Sequence, residues 1–298
     1  MTDRQRTGLD VPLSELPPEE KAKRSGSFGE VASHYGRYRP GPSLAAVDWL
    51  LPEKVRRVVD LGAGTGALTR LLTDRADEVV AVEPDDRMRS VLTEEVPGIR
   101  AVSGRGESIP IPDGSADAVV ASSSWHWMDP VATLHEVARV LEPGGVLGVV
   151  WSGPDPMGPF LVQARALLAE RRHDGREAAG TADKAGHPGN ELADLMGDGL
   201  RPSPSLEIPP DLPFGPPEHE VFVWDVALNA DELIGLLGTF SWIITLPDQA
   251  RRRVTAEARR LMRELLGIEG EATVDVAFRS DAWMARRQAE GPGPMSTN

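Results

Sequence analysis

Three glycines at alternate positions, Gly62, Gly64 and Gly66, follow an apolar run that ends in Asp60; from Val58 the stretch reads VVDLGAGTG. Leu68, Leu71 and Leu72 then recur at helical spacing. Strand, glycine turn and helix in this order leave side chains out where a ligand must approach the backbone, and point helix N–H groups at it. A second apolar run, EVVAVE, ends in Glu83. In a parallel sheet that carboxylate lies beside the glycine turn, where it can accept hydrogen bonds from two ribose hydroxyls. A carboxylate closing a buried strand needs such partners. Asp60 precedes the turn at a position suited to an ammonium group. Further along, SSSWHWMD sets His126 between Trp125 and Trp127. An imidazole titrating near neutrality suits proton abstraction, and packing between its two indoles is the structural alternative.

Two nucleotide chemistries share this arrangement. GAGTGA also satisfies the dinucleotide pattern G-x-G-x-x-A. The place of Asp60 favours S-adenosylmethionine (SAM), whose methionyl part carries an ammonium, over NAD, and the Gly-x-Gly-x-Gly spacing resembles motif I of class I methyltransferases. An NAD-dependent oxidoreductase is disfavoured because no Tyr-x-x-x-Lys pair or separate catalytic domain is visible. A SAM-binding protein that transfers no methyl group is the third reading, since binding and transfer are separable.

The elements that position these groups alternate strand and helix, as in a doubly wound α/β fold. Strands are expected at Arg57–Leu61, Glu78–Glu83, Ile99–Ser103, Asp117–Ser122 and Val146–Trp151, apolar on both faces as a covered parallel sheet requires. Helices are expected at Ala67–Arg75, after Asp85 as N-cap with Met88, Val91, Leu92 and Val96 buried, and from Pro130 with Asp129 as cap. The face of that last helix is Val131, Leu134, Val137 and Leu141, and Pro143-Gly144-Gly145 stops it. Leu44–Leu51 reads as a short amphipathic helix. Before it stand His34, Tyr35, Tyr38 and Arg39, a lid over a bound cofactor or simply a packing helix; in the lid reading Arg39 pairs with a carboxylate and a tyrosine lies against the sulfonium. His34 is a second, weaker candidate base. Past Trp151 the pattern breaks. Phe160–Arg172 reads as a helix, 173–218 shows no period, Val221–Ala227 and Thr273–Phe278 as strands, Ala230–Phe240 and Gln249–Leu266 as helices.

These expectations divide the chain into a flexible N-terminal arm (1–25), one domain (26–285) and a flexible tail (286–298). Within the domain, 26–52 holds lid helices, 53–152 the cofactor core, 153–220 an insertion or cover, and 221–285 the last strands and helices. Its 298 residues allow a sizeable core. There is no cysteine, which excludes disulfides, thiolate metal sites and cysteine nucleophiles, and six histidines without paired ligand spacing make a metal unexpected. A formal charge of −14 argues against a nucleic-acid or anionic-membrane partner. With no apolar run long enough to span a bilayer, a cytoplasmic protein is expected. Oligomeric state, monomer or homodimer, is open.

From about Phe28 to Trp151 the chain resembles small-molecule class I SAM-dependent methyltransferases of the ubiquinone-biosynthesis and trans-aconitate methyltransferase type. VVDLGAGTG, VEPDDRM, GRGESIPIPDGSADAVV, SSSWHWMD and VLEPGGVLGVVW carry the resemblance. It implies a Rossmann-like seven-stranded sheet with an antiparallel last strand, helices on both faces, and SAM as cofactor. It further implies that Asp60, Gly62, Ala63, Gly64 and Gly66 hold the methionyl part, and that Glu83 holds the ribose with Pro84 beside it. Met88, Gly106 and Glu107 would meet the adenine, and Ser122 to Trp125 the transferable methyl. The acceptor, a small organic molecule, would then lie among Tyr38, Trp125, Trp127, Trp151 and Trp242, aromatic walls suited to an aromatic or apolar compound. Tyr35 is a further catalytic candidate. Met88 and the tryptophans have ordinary core packing as their alternative, and Glu107 a solvated loop position.

Overall fold

The computed structural model describes residues 38, 40–164, 166, 205–239, 243, 246, 248–268 and 270–289. Its elements in chain order are α1 (Leu44–Leu50), β1 (Arg57–Leu61), α2 (Thr69–Leu72), β2 (Glu78–Val82), α3 (Asp86–Glu95), β3 (Arg100–Val102), β4 (Ala116–Ser122), α4 (Pro130–Val140), β5 (Leu141–Pro154), β6 (Glu218–Asn229), α5 (Ala230–Leu237), α6 (Asp248–Leu266) and β7 (Thr273–Arg286). The strands form one seven-stranded sheet in the order β3-β2-β1-β4-β5-β7-β6. β1 pairs in parallel with β2 and β4, β2 with β3, and β4 with β5. β7 runs antiparallel to β5: Arg287 N donates to Gly145 O at 2.8 Å, and Asp155 N to Ala277 O at 2.7 Å. The chain is the mixed, Rossmann-like α/β fold that the strand–helix alternation predicts.

Local chemistry explains the boundaries. The apolar strands β1 and β2 bury four of five residues each, as a sheet covered on both faces must. Asp85 caps α3 by accepting from Arg87 N and Met88 N, and Asp129 caps α4 by accepting from Ala132 N, with Pro130 at the first helical position. α1 is capped by the Ser43 hydroxyl and buries Ala46, Val47 and Leu50. Several expectations need correction. α2 is a single turn rather than Ala67–Arg75, because Gly66 at φ +90° delays the helical backbone. α4 ends at Val140 because Pro143 and the left-handed Gly144 turn the chain extended; β5 therefore starts at Leu141 and runs to Pro154. The buried arc of α4 centres on Val137 and includes Thr133, leaving Val131 at its margin, 50% exposed. β7 continues past Phe278 to Arg286, and Gln288 N donates to Pro213 O, so residues 286–289, expected in a flexible tail, are held by backbone bonds; the rest of that expected tail lies outside the described residues.

Where the sequence suggests a single domain over 26–285, the chain divides into two compact units. One comprises Met1–Trp151, Ser205–Val221 and Asp281–Asn298, the other Ser152–Pro204 and Phe222–Ser280. The core of the first gathers Val59, Leu61, Val80, Val119, Leu134, Val137 and Leu147 with Trp125 and Trp151. Leu206, Leu212 and Phe214, from the stretch without sequence period, are buried in this same core. In the second unit Leu233 and Leu236 of α5 and Met262 of α6 pack with Val276 and Phe278, and Asn229 opens α5 with a reciprocal capping box to Glu232. Among the described residues, no helix is long and apolar enough to cross a membrane.

Candidate active site

The glycine turn follows from three left-handed backbones in a row of five residues: Gly62, Gly64 and Gly66 have φ of +71°, +57° and +90°. Each glycine answers a different need. A Cβ on Gly62 would lie 2.6 Å from Ser124 Cβ, and one on Gly66 3.2 Å from Leu92 Cγ. A Cβ on Gly64 would meet nothing within 4 Å among the described residues. Gly62 and Gly66 are therefore glycines of close packing as well as of turn geometry, whereas Gly64 faces open space at the tip. Gly62 N and Ala63 N both donate to Val82 O, at 2.8 and 3.1 Å, which ties the turn across to the end of β2.

Two buried carboxylates flank the turn. Glu83 is 8% exposed; its Oε2 accepts from Gly64 N and its Oε1 from Asp85 N, each at 2.9 Å. Burial raises its pKa, opposed by those two backbone donors. Asp60 is 1% exposed. Its Oδ2 accepts the Thr69 hydroxyl at 2.6 Å, and its Oδ1 is buried with no hydrogen-bond partner among the described residues. Burial pushes its pKa up to about 7; the Thr69 hydroxyl opposes the shift and the charge of Glu83 adds to it. Thr69 escaped the sequence reading. Its signal is a hydroxyl in the first turn of the helix, three residues past Gly66, where it can turn back to the strand.

The end of β4 closes the same region. Ser123 has φ +51°, an uncommon left-handed backbone for a non-glycine residue. It breaks the strand so that residues 125–127 form one 3-10 turn. Ser124, 7% exposed, donates its hydroxyl to Leu61 O at 2.7 Å and so fastens β4 to β1 under Gly62. Neither serine stood out in the sequence from Ser122, which ends β4 half-buried. His126 is half-buried; its Nδ1 accepts the Trp151 indole N–H at 3.3 Å, and its ring lies 4.9 Å from that of Trp127. Trp125 and Trp151, 7% and 8% exposed, belong to the core, and Trp127 is half-buried.

The remaining candidates are placed as follows. Met88 is 7% exposed on α3, and Pro84 is exposed between Glu83 and the Asp85 cap. Gly106 is a close-packing glycine, since a Cβ there would lie 2.6 Å from both Met128 Sδ and Thr133 Oγ1. The Glu107 carboxylate accepts from Asp129 N at 2.7 Å, anchoring the loop to the start of α4. Tyr38 is half-buried. His34, Tyr35, Arg39 and Trp242 lie outside the described residues.

The description "Methyltransferase domain" fits residues 59–149, a span that opens just before the glycine turn and closes in β5. An uncharacterized methyltransferase of Mycobacterium tuberculosis is 38% identical over 236 residues, covering 79% of this chain and 85% of the relative. This chain belongs to the class I SAM-dependent methyltransferases. A malonyl-[acyl-carrier protein] O-methyltransferase of Enterobacter lignolyticus is 29% identical to this methyltransferase over 54% of the chain and 65% of the relative. A putative type II methyltransferase of Anaeromyxobacter dehalogenans has a similar fold, with a TM-score of 0.52 at 21% identity, over 84% of this chain and 98% of that one. The residues present fit SAM. The open space at Gly64 admits a ligand to the backbone, and the orphaned Oδ1 of Asp60 lacks the partner that an ammonium would supply.

Proposed function

We propose that this methyltransferase carries a methyl group from SAM to an oxygen, nitrogen or carbon nucleophile of a small organic acceptor with an aromatic or apolar body. The observation that carries the reading is the pairing of two buried carboxylates around one glycine tip. Asp60 keeps an unpartnered oxygen, and Glu83 grips the N–H groups of Gly64 and Asp85. In this reading Asp60 takes the methionyl ammonium, the Gly62–Gly66 turn its carboxylate end, and Glu83 the ribose hydroxyls, with Met88 under the adenine. Oxygen is retained among the acceptor atoms because the Enterobacter relative is named for methylation at oxygen.

SAM, when bound, supplies a methyl already activated on a sulfonium. The chain's own work is to align the acceptor and to keep water out. His126 and Trp127, half-buried in the turn after β4, give the acceptor a flat wall, and Trp125 and Trp151 back it from the core, Trp151 through its bond to His126. Because Nδ1 of His126 accepts the Trp151 N–H, the neutral ring carries its own proton on Nε2. With Nδ1 held in this way, His126 is read as orienting the acceptor rather than removing its proton.

The test is transfer of an isotopically labelled methyl from SAM into a small-molecule extract of the source organism, read by mass spectrometry. A labelled product is expected, with its methyl on a compound of drug-like size. Tight SAM binding without any labelled product, across extract and a panel of synthetic aromatic acceptors, would instead make this chain a SAM binder that transfers no methyl.

A further inference from the structure

Trp151 also has a neighbour on the other side of β5, on β7. The hydroxyls of Ser152 and Ser280 meet at 2.8 Å, in register with the Asp155–Ala277 and Gly145–Arg287 backbone bonds. This antiparallel register sets Trp151 opposite Asp281, and directly opposed residues point to the same face. The indole that donates to His126 therefore has Asp281 as its cross-strand neighbour. Asp281 is 6% exposed. His219, on β6, brings Nε2 to 3.5 Å from Asp281 Oδ1. The same imidazole stacks on Trp283, ring centroids 4.3 Å apart and planes at 24°. Trp283 Nε1 is buried with no partner among the described residues.

Level and span give this cluster its meaning. Ser123 N donates to Val150 O, so the end of β4 and Trp151 share one level, and β7 is the next strand but one. His219 stands on β6, but its ring leans back onto Asp281 and Trp283 of β7, which at ~4.8 Å between strands lies roughly 10 Å from β4. That is the length of a two-ring acceptor whose reacting atom sits over the end of β4. A stack on one ring face and a carboxylate at Nε2 fix the direction of His219, while its side chain stays 37% exposed. With Nε2 turned to the carboxylate, the other ring nitrogen, Nδ1, has no partner among the described residues.

We propose that His219, seated on Trp283 and beside Asp281, anchors a hydroxyl or amine head group of the acceptor at the end remote from the methylated atom. The proposal rests on the small-acceptor reading above and names the chemistry of that acceptor. It is tested by calorimetry on protein loaded with S-adenosylhomocysteine, with 4,4′-dihydroxybiphenyl and 4-hydroxy-4′-methylbiphenyl as probes. These differ only in whether the far end donates a hydrogen bond. Wild type is expected to prefer the dihydroxy probe roughly five- to tenfold. His219→Ala abolishes the preference by weakening that probe alone, and His219→Gln, which restores an acceptor atom, recovers part of it. The proposal is overturned if wild type binds both probes alike or neither, or if His219→Ala keeps the preference. Should His219→Ala fail to fold, the wild-type comparison and His219→Gln decide. Failure to bind S-adenosylhomocysteine at all strikes the cofactor reading instead, and is seen before any probe is added.

Discussion

Gly62→Ala forces a Cβ to 2.6 Å from Ser124 Cβ on a backbone at φ +71°. Neither the strand end nor the Ser124–Leu61 bond can give way cheaply, so the variant should lose about 2–4 kcal/mol of stability, read from denaturant unfolding. Gly64→Ala meets no atom, and its loss should be limited to the cost of the left-handed backbone, about 1 kcal/mol. Asp60 makes a pH prediction. Its folded pKa of about 7 stands above its ordinary 3.8, so between those values the folded chain holds a proton that the unfolded chain releases. The stability it contributes is greatest below the lower value and falls as pH rises to the upper one. Asp60→Asn removes that slope, so its melting midpoint should gain on wild type from about pH 5 to about pH 7.5; midpoints that run parallel would contradict the assignment. At His126, the Nδ1 contact predicts an orienting role. His126→Asn should keep more turnover than His126→Ala, while both leave SAM affinity within about twofold. Much of this was legible: the spacing of three glycines and two strand-ending carboxylates is a local pattern. The Thr69–Asp60 bond, the Ser124–Leu61 bond and the His219–Asp281 pair were not, because each depends on a partner brought close by the fold, 9, 63 and 62 positions away.

The start of α4 is where loop, cap and aromatic turn are joined. Asp129 accepts from Ala132 N through its side chain, while its own N–H is held by Glu107. Asp129→Ala should cost about 1 kcal/mol, and disturb the 3-10 turn before it enough to lower turnover; a change in neither would separate the cap from the site. β1 was read from sequence with its observed limits because its apolar run ends abruptly in glycines. The limits of α2 and β5 were missed. At α2 a left-handed glycine delays the helix. At β5 the Glu142-Pro143-Gly144-Gly145 segment reads as a stop, yet it runs extended, with Arg287 donating to the Leu141 carbonyl at 3.0 Å and Gly144 N to Arg287 O at 2.9 Å. Those partners stand nearly 150 positions away, beyond any local pattern.

At the scale of the molecule, strand–helix alternation predicts the parallel half of the sheet, because each unit there is closed by the next one in sequence. The resemblance implied an antiparallel last strand, but not the place of β7 between β5 and β6, since an antiparallel strand's alternation carries no information about its neighbours. The division into two compact units was not legible either, because chain from either side of β6 joins each of them. The central claim is that one glycine turn and two carboxylates hold SAM, and calorimetric titration of SAM tests it most directly. Wild type should bind SAM and not NAD, and Glu83→Ala should lose at least one charge-assisted hydrogen bond, ~1.5–3 kcal/mol, or about tenfold or more in affinity. Equal affinity in the two proteins, or a preference for NAD, would contradict the account.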